Sequence, residues 1–492
     1  MPTELQTDGI VQTAIFVALT LLVALATWWK VRQSRATHDG SGKDVFLAGG
    51  GLSWLFVAGS ITLTNLSTDQ LVGMNGNQML LLAWWEIAGF FGLMILAYVF
   101  VPLYYRNRCT TVTELLERRY GGTSIRTLIS GLFLFGNVVI YLPAALYSGG
   151  LFMQSLFGGT TSVLVFATIL AVISATYSIL GGLRAVAVMD TFSGIGVLGL
   201  ALLIVFLSLA AVDFDLVSGV PAERLTMIGG DDSPIPWHTL FTGMLFIQIF
   251  YWSTNQNITQ KAMAAPSVEE ARKGVLAAAA IRILIVPPIV VIPGVVAYKL
   301  FGDIGDAAYG RLVAEVLPGW LSGAFAAMVA AAVITTFSAV LNSTVALYSV
   351  DFHDKFIGRV RNHWRLAAVV SMITTGIAIL LVPVFQNADS IINLLQQLNG
   401  LFSMPILSAF IVGLLFRNVG AWAAIFGVVW GFTVYALYTF VWQPAGSITL
   451  HYIHFMVIVL ASSVLAALVF NRVALSRRAE YIGLQALHAQ TP

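Results

Sequence analysis

The chain reads as a succession of apolar runs, each about twenty residues long, divided by short polar turns. A run of that length crosses the hydrocarbon core of a bilayer as an α-helix. Thirteen are predicted, near 9–30, 52–75, 79–104, 126–155, 160–182, 186–211, 238–260, 274–300, 321–350, 366–386, 391–416, 419–441 and 451–471. The expected fold class is an all-α integral membrane protein, one transmembrane domain over residues 1–492. The turns leave no room for a soluble catalytic domain.

Two runs are interrupted. Residues 60–78, SITLTNLSTDQLVGMNGNQ, set Asn65, Asp69, Gln70 and Asn75, with Gly73 and Gly76, where only apolar residues are cheap. Lipid offers no hydrogen-bond partners, so such a break survives only inside protein or against a wet cavity. An unwound helix there points free carbonyls at a cation and side chains at a solute. The seventh span is the second case: Gln248, Ser253, Thr254, Asn255 and Gln256 accompany Phe250, Tyr251 and Trp252. Each broken span would open a five-helix unit, the spacing of an inverted-repeat transporter.

The ninth span adds a third constellation. Ala332, Thr335 and Thr336 fall at i, i+3 and i+4, on one helical face. Hydroxyls facing unwound carbonyls offer sodium hard, neutral oxygens; the alternative is polar glue between helices. Ionisable residues at membrane depth are few: Asp69, Glu86, Asp190 and Arg282. Each costs roughly 2.5–3.5 kcal/mol there, so each marks function, a structural ion pair or a side chain that snorkels to the surface. Trp84 and Trp85 beside Glu86 supply stacking surfaces.

Composition agrees with a membrane protein: 58% hydrophobic and 10% charged residues, with mean hydropathy +0.87. Basic residues gather in alternate turns: Lys30, Arg32, Arg35 and Lys43; Arg106 to Arg119; Arg184; Lys261, Arg272 and Lys273; Lys355 to Arg365; Arg417; and Arg472 to Arg478. That bias predicts an external N-terminus and a cytoplasmic C-terminus in the inner cell membrane. Residues 1–8 lack a basic n-region, and Trp28, Trp29 and Lys30 resemble an interfacial anchor, so the first span is read as uncleaved. A net charge of +2 implies no nucleic-acid surface, and the lone Cys109 no intramolecular disulfide. The histidines, His238, His353, His363, His451 and His454 among them, scatter near span ends without ligand spacing. Neither a phosphate-binding loop nor a hydrolase motif is present, so no enzyme is expected.

Ordered motifs, NLSTDQLVGMNG, YSILGGLRAVAVMD (177–190), NQNITQKAMAA (255–265), PSVEEARKG (266–274) and LNST (341–344), make the chain resemble the solute:sodium symporter family, in its sodium/glucose cotransporter branch. The resemblance covers nearly the whole chain. It implies a LeuT-type fold, with a preceding helix (9–30), inverted repeats over 52–211 and 238–416, and two following helices (419–471). It implies a sodium site from the carbonyls of Leu63, Leu66 and Ala332 and the hydroxyls of Thr335 and Thr336. The solute site would take Gln70, Trp85, Glu86, Gln248, Arg282 and Gln396, with Asn65 linking it to sodium. Tyr251 would stack beneath the solute as an inner gate, and Met74 would lie on the outer side. Asp190 and Ser338, with Thr335, would flank a second sodium; otherwise Asp190 pairs with a basic residue or favours its helix N-terminus. The family pattern is broken at Gln248 (an asparagine there), Arg282 (a lysine), Gly89 (a serine), Tyr141 (an asparagine) and Ile392 (a phenylalanine). The implied activity is sodium-coupled symport of a monosaccharide or polyol. Acidic sugars, monocarboxylates or amino acids are alternative cargoes, and a solute sensor is the non-transport alternative.

Overall fold

In the computed structural model the apolar runs are helices; residues 14–22, 25, 47, 50–157, 161–358, 362–388, 390–447 and 450–483 are described. Half of the first predicted span, its anchor Trp28–Lys30, and the basic residues Arg32, Arg35, Lys43, Arg359 and Arg361 lie outside them. In chain order the helices are α1 (Trp54–Asn65) and α2 (Thr68–Gly76), then α3 (Leu80–Arg106), α4 (Val112–Tyr120), α5 (Thr123–Leu156) and α6 (Val163–Ala210). The second half holds α7 (Gly243–Ile249), α8 (Gln256–Met263), α9 (Val268–Phe301), α10 (Ala308–Val316) and α11 (Gly319–Ile357). It closes with α12 (His363–Phe385), α13 (Ile391–Leu415), α14 (Ala421–Trp442) and α15 (Tyr452–Val473). A two-residue antiparallel pair, Phe416–Arg417 with Glu480–Tyr481, is an addition that the all-α expectation lacks.

Both interruptions fall where the polar residues predict. α1 ends at Asn65, Leu66 turns to ψ 64°, and α2 restarts at Thr68. The chain after α7 runs as a π-turn over Phe250–Thr254, then extends at Asn255, whose side chain caps α8 by accepting from Asn257 N. The fifth and sixth predicted spans are one helical stretch of 48 residues. Straight, it would measure about 72 Å, beyond a whole bilayer of roughly 40–45 Å. Of its apolar parts, Ala185–Ala210 is long enough to cross by itself, and Val163–Ile179 is a shorter apolar stretch.

Burial grades the helices. Of the most apolar window of α11, 89% is enclosed, against 33% for α12, whose apolar face is left for lipid. α11 packs on α1, α5 and α6, and α2 lies against α9, α10 and α13. Asn75, a polar intruder in the sequence, is a structural tie: its amide donates to Leu71 O at 2.8 Å and Ile289 O at 3.2 Å. Its oxygen accepts from Gly294 N at 2.8 Å.

Histidines far apart in sequence meet at one end of the bundle. His238 and His454 stack with ring centroids 4.5 Å apart, and Asp231 lies 2.9 Å from His238 Nε2. His451, just outside the α15 span, caps that helix, its Nδ1 accepting from Ile453 N. Burial, then the nearby His454 and His238, push its pKa down from 6.5 to about 4. A depressed histidine contributes stability above its unfolded pKa that is lost as pH falls through the folded one. Thermal unfolding in detergent should therefore weaken from pH 6.5 towards 4. His451→Asn, which caps without titrating, should flatten that part of the profile; an unaltered profile would refute the assignment.

Candidate functional site

A polar cavity opens beside the first break. Asn65, Asp69 and Gln70 from α1 and α2 line it, with Trp85 of α3 and Tyr141 of α5. Residues 247, 248 and 250–252, Arg282 of α9, and Ile392, Leu395, Gln396 and Asn399 of α13 complete the wall. The cavity volume is about 60 Å³, several times the roughly 10–15 Å³ that one water needs. Seven of the eight expected solute residues line this space: Asn65, Gln70, Trp85, Gln248, Tyr251, Arg282 and Gln396.

Glu86, the eighth, is fully buried behind the wall. Its Oε2 lies 2.5 Å from Arg282 Nη2, a charge contact without an aligned hydrogen bond. The Arg282 guanidinium sits 4.3 Å from the Trp252 ring centroid. Gln248 braces that ring: its amide donates to Trp85 O at 2.7 Å, and its oxygen accepts from Trp252 Nε1 at 2.9 Å. Trp252 and Asn399 are therefore site residues that sequence reasoning misses. Asn399 accepts from Tyr141 OH and donates to Gln396 Oε1 at 3.2 Å. Asn65 donates to Tyr251 OH at 3.1 Å. Met74 is fully buried and absent from the cavity wall.

Several polar atoms here are buried without a protein partner: Asn65 Oδ1, Gln70 Oε1 and Arg282 Nε. Such groups cost free energy unless something satisfies them. Asp69 is held at the start of α2, its carboxylate accepting from Ser67 Oγ.

The break also frees backbone oxygens. In a continuous helix Leu63 O would accept from Ser67 N, but that N–H bonds Asn65 O at 2.8 Å. Gln70 N, the usual partner of Leu66 O, goes to Ser67 O at 3.2 Å. Across the packed face of α11, Thr336 Oγ1 is buried with no partner, while Thr335 Oγ1 donates to Ala332 O at 3.1 Å. Carbonyl and hydroxyl oxygens are the hard, neutral ligands that a small cation takes.

Asp190, expected beside a second sodium, has a basic partner at one oxygen, while its Oδ1 is buried without one. Its Oδ2 accepts from Ser60 Oγ at 2.7 Å and Lys261 Nζ at 3.2 Å, and both members of the ion pair are fully buried. Lys261, counted among the turn residues in sequence, is thus an interior cation. Ser338 donates to Ser174 O at 3.0 Å. The basic-partner alternative for Asp190 is the one the structure displays.

Removing one partner of a buried pair strands the other, typically at about 3–5 kcal/mol. Glu86→Leu should lower unfolding stability by about that much, and adding Arg282→Leu should recover most of it. Thermal denaturation of single and double variants checks the coupling; simple additivity would contradict the pairing.

Comparison with known proteins follows this geometry. The sodium:solute symporter family profile matches residues 45–431. An uncharacterized symporter of Escherichia coli K12, YidK, is 35% identical over 437 residues, covering 84% of this chain and 76% of that protein. The sodium/glucose cotransporter of Vibrio parahaemolyticus is 30% identical, covering 85% and 82% respectively. Sodium/myo-inositol cotransporter 2 of Bos taurus is 27% identical, covering 85% and 68%. Among solved structures, a sodium-coupled sialic acid symporter in a substrate-bound outward-open state superposes with TM-score 0.80 at 17% identity, covering 96% and 99%. The fold is the LeuT-type transporter fold, and sodium is the coupling ion. With more than half its length matched and a 30% relative spanning most of both proteins, the chain belongs to the sodium:solute symporter family.

Proposed function

We propose that this protein imports an uncharged monosaccharide or related polyol with sodium, by alternating access across the inner cell membrane. The observation that carries the reading is the chemistry of the cavity wall. Amides and hydroxyls of Asn65, Gln70, Tyr251, Gln396 and Asn399 surround it, groups that can both donate to and accept from hydroxyls. Arg282 at the wall is paired with Glu86 behind it, and Asp69, the acid in the wall, accepts from Ser67 Oγ. A site of this kind rejects analogues lacking the hydroxyls, because its own groups are then left unpaired. The sugar and inositol cotransporters among the relatives support the same class.

In this reading sodium takes the Leu63, Leu66 and Ala332 carbonyls with the Thr335 and Thr336 hydroxyls. The ion ties the break in α1–α2 to α11, and Asn65 couples it to Tyr251 beneath the solute. The N-terminus faces outward and the C-terminus the cytoplasm. A potential of 100 mV supplies about 2.3 kcal/mol per charge, and a tenfold sodium gradient about 1.4. One ion then sustains a solute gradient of roughly several hundredfold.

Uptake into proteoliposomes tests the class. Labelled glucose, galactose and myo-inositol should enter with sodium and not with potassium, ahead of glucuronate, lactate or alanine. Preference for an acid would overturn it. Thr336→Ala should raise the sodium half-saturation about tenfold or more, a loss of about 1.4 kcal/mol, with folding retained. An unchanged half-saturation would remove Thr336 from the ion site.

A further inference from the structure

The histidine pair at the end of the bundle takes no part in the solute and sodium readings. His238 stands on a short turn, Trp237–Phe241, ahead of α7, and His454 on the first turn of α15, 216 residues further on. Their ring planes lie 9° apart, and His238 Nδ1 faces His454 Nε2. Each ring is held by its other nitrogen: Asp231 Oδ1 lies 2.9 Å from His238 Nε2, and Thr242 Oγ1 2.9 Å from His454 Nδ1. A carboxylate can only accept, so His238 Nε2 carries the proton and a neutral His238 keeps its lone pair on Nδ1. Thr242 has another acceptor for its hydroxyl, Thr239 O at 3.2 Å. With the hydroxyl turned there, Thr242 accepts from His454 Nδ1 and the His454 lone pair lies on Nε2. Two imidazole lone pairs then point at one spot. The other arrangement, with Thr242 donating to His454 Nδ1, puts one ring proton between them, and a bound ion has only that proton to move.

We propose that His238 and His454 are the protein ligands of a site for a divalent first-row transition ion, Zn2+ or Cu2+, which clasps the entry to α7 against α15. Imidazole suits those ions, whereas Mg2+ and Ca2+ take oxygen ligands. A ligating histidine characteristically donates its other N–H to a carboxylate or similar acceptor, which fixes its tautomer and orientation. Asp231 and Thr242 fill that part here. Among the described residues no three histidine, cysteine or acidic side chains surround one point, so water completes the shell. The His238 side chain is 36% exposed, which gives ion and water access. His451, one turn before His454, is committed at Nδ1 to capping α15. To admit the ion the rings part until each facing nitrogen stands about 2.0–2.1 Å from it; His238, on a turn and not a long helix, is the member that shifts.

Calorimetric titration of the untagged protein in detergent tests the site. One Cu2+ or Zn2+ should bind per chain, Cu2+ the more tightly, and Mg2+ should not compete. Zn2+ should also raise the melting temperature, since the two ligands meet only in the folded chain. Asp231→Asn should weaken binding about tenfold, as loss of an outer partner does. With its side chain 91% exposed, Asp231 can be changed without risk to the fold. His238→Gln and His454→Gln should each weaken binding more than that. Electron paramagnetic resonance of the Cu2+ form should show two coupled imidazole nitrogens in the wild type and one in either glutamine variant. A wild type that binds neither ion overturns the site. So does an affinity that all three variants keep, which would place the ion elsewhere.

Discussion

A bilayer supplies no water to a broken helix, and that constraint orders this molecule. The chain leaves helical geometry at Leu66–Ser67 and again at Asn255, within spans where every unpaired N–H or C=O is costly. Both breaks are tolerable only when protein surrounds them, and the near-total burial of α11 is one side of that enclosure. The enclosure in turn demands close crossings. A side chain at Gly92 would strike Gln248 O, and one at Gly243 would strike Ile453 O, so these helices meet backbone to backbone. What remains between the walls is the polar cavity.

The same low dielectric governs the charges. Among the described residues, buried pairs join separate helices: Glu86 with Arg282, Asp190 with Lys261, and Asp351 with Arg126. A single charge in such surroundings would be prohibitive, whereas a pair is tolerated when hydrogen bonds complete it. Asp351 shows the completed form, accepting from Thr111, Thr113, Ser130 and Arg126. Glu86 shows the incomplete one, with neither oxygen in an aligned hydrogen bond. The difference separates a pair closed within the packed helices from one at the side of the polar cavity.

The helices and their two breaks are legible in the sequence because hydropathy and its interruption are local properties. Residues 60–78 and 241–260 announce themselves by polar groups among apolar ones, and the structure unwinds within both. Pairings carry no such local mark. Nothing near Glu86 in sequence points to Arg282, and Lys261 lies beside basic turn residues from which only its fully buried environment distinguishes it. Met74 is expected on the outer side of the cavity, but it is fully buried and outside the cavity wall, and which face a helix presents after a break is set by tertiary packing. His238 and His454 read as scattered interfacial residues because their stacking depends on how α15 docks against the start of α7.

Gln248 shows how the departures from the family pattern fit together. By resemblance it is expected to contact the solute, yet both ends of its amide are engaged, with Trp85 O and with the Trp252 indole. Its extra methylene over asparagine extends its reach to span those two groups. A braced Trp252 offers a fixed face on which a planar guanidinium stacks better than an ammonium. The guanidinium then needs the volume that a side chain at 89 would occupy. Gln248, Arg282 and Gly89 thus form one connected arrangement around Trp252, and each becomes sterically intelligible only beside the other two. Substitutions that look conservative when taken singly rebuild one wall of the cavity when taken together, while Asn65, Gln70 and Gln396 keep the remaining walls polar.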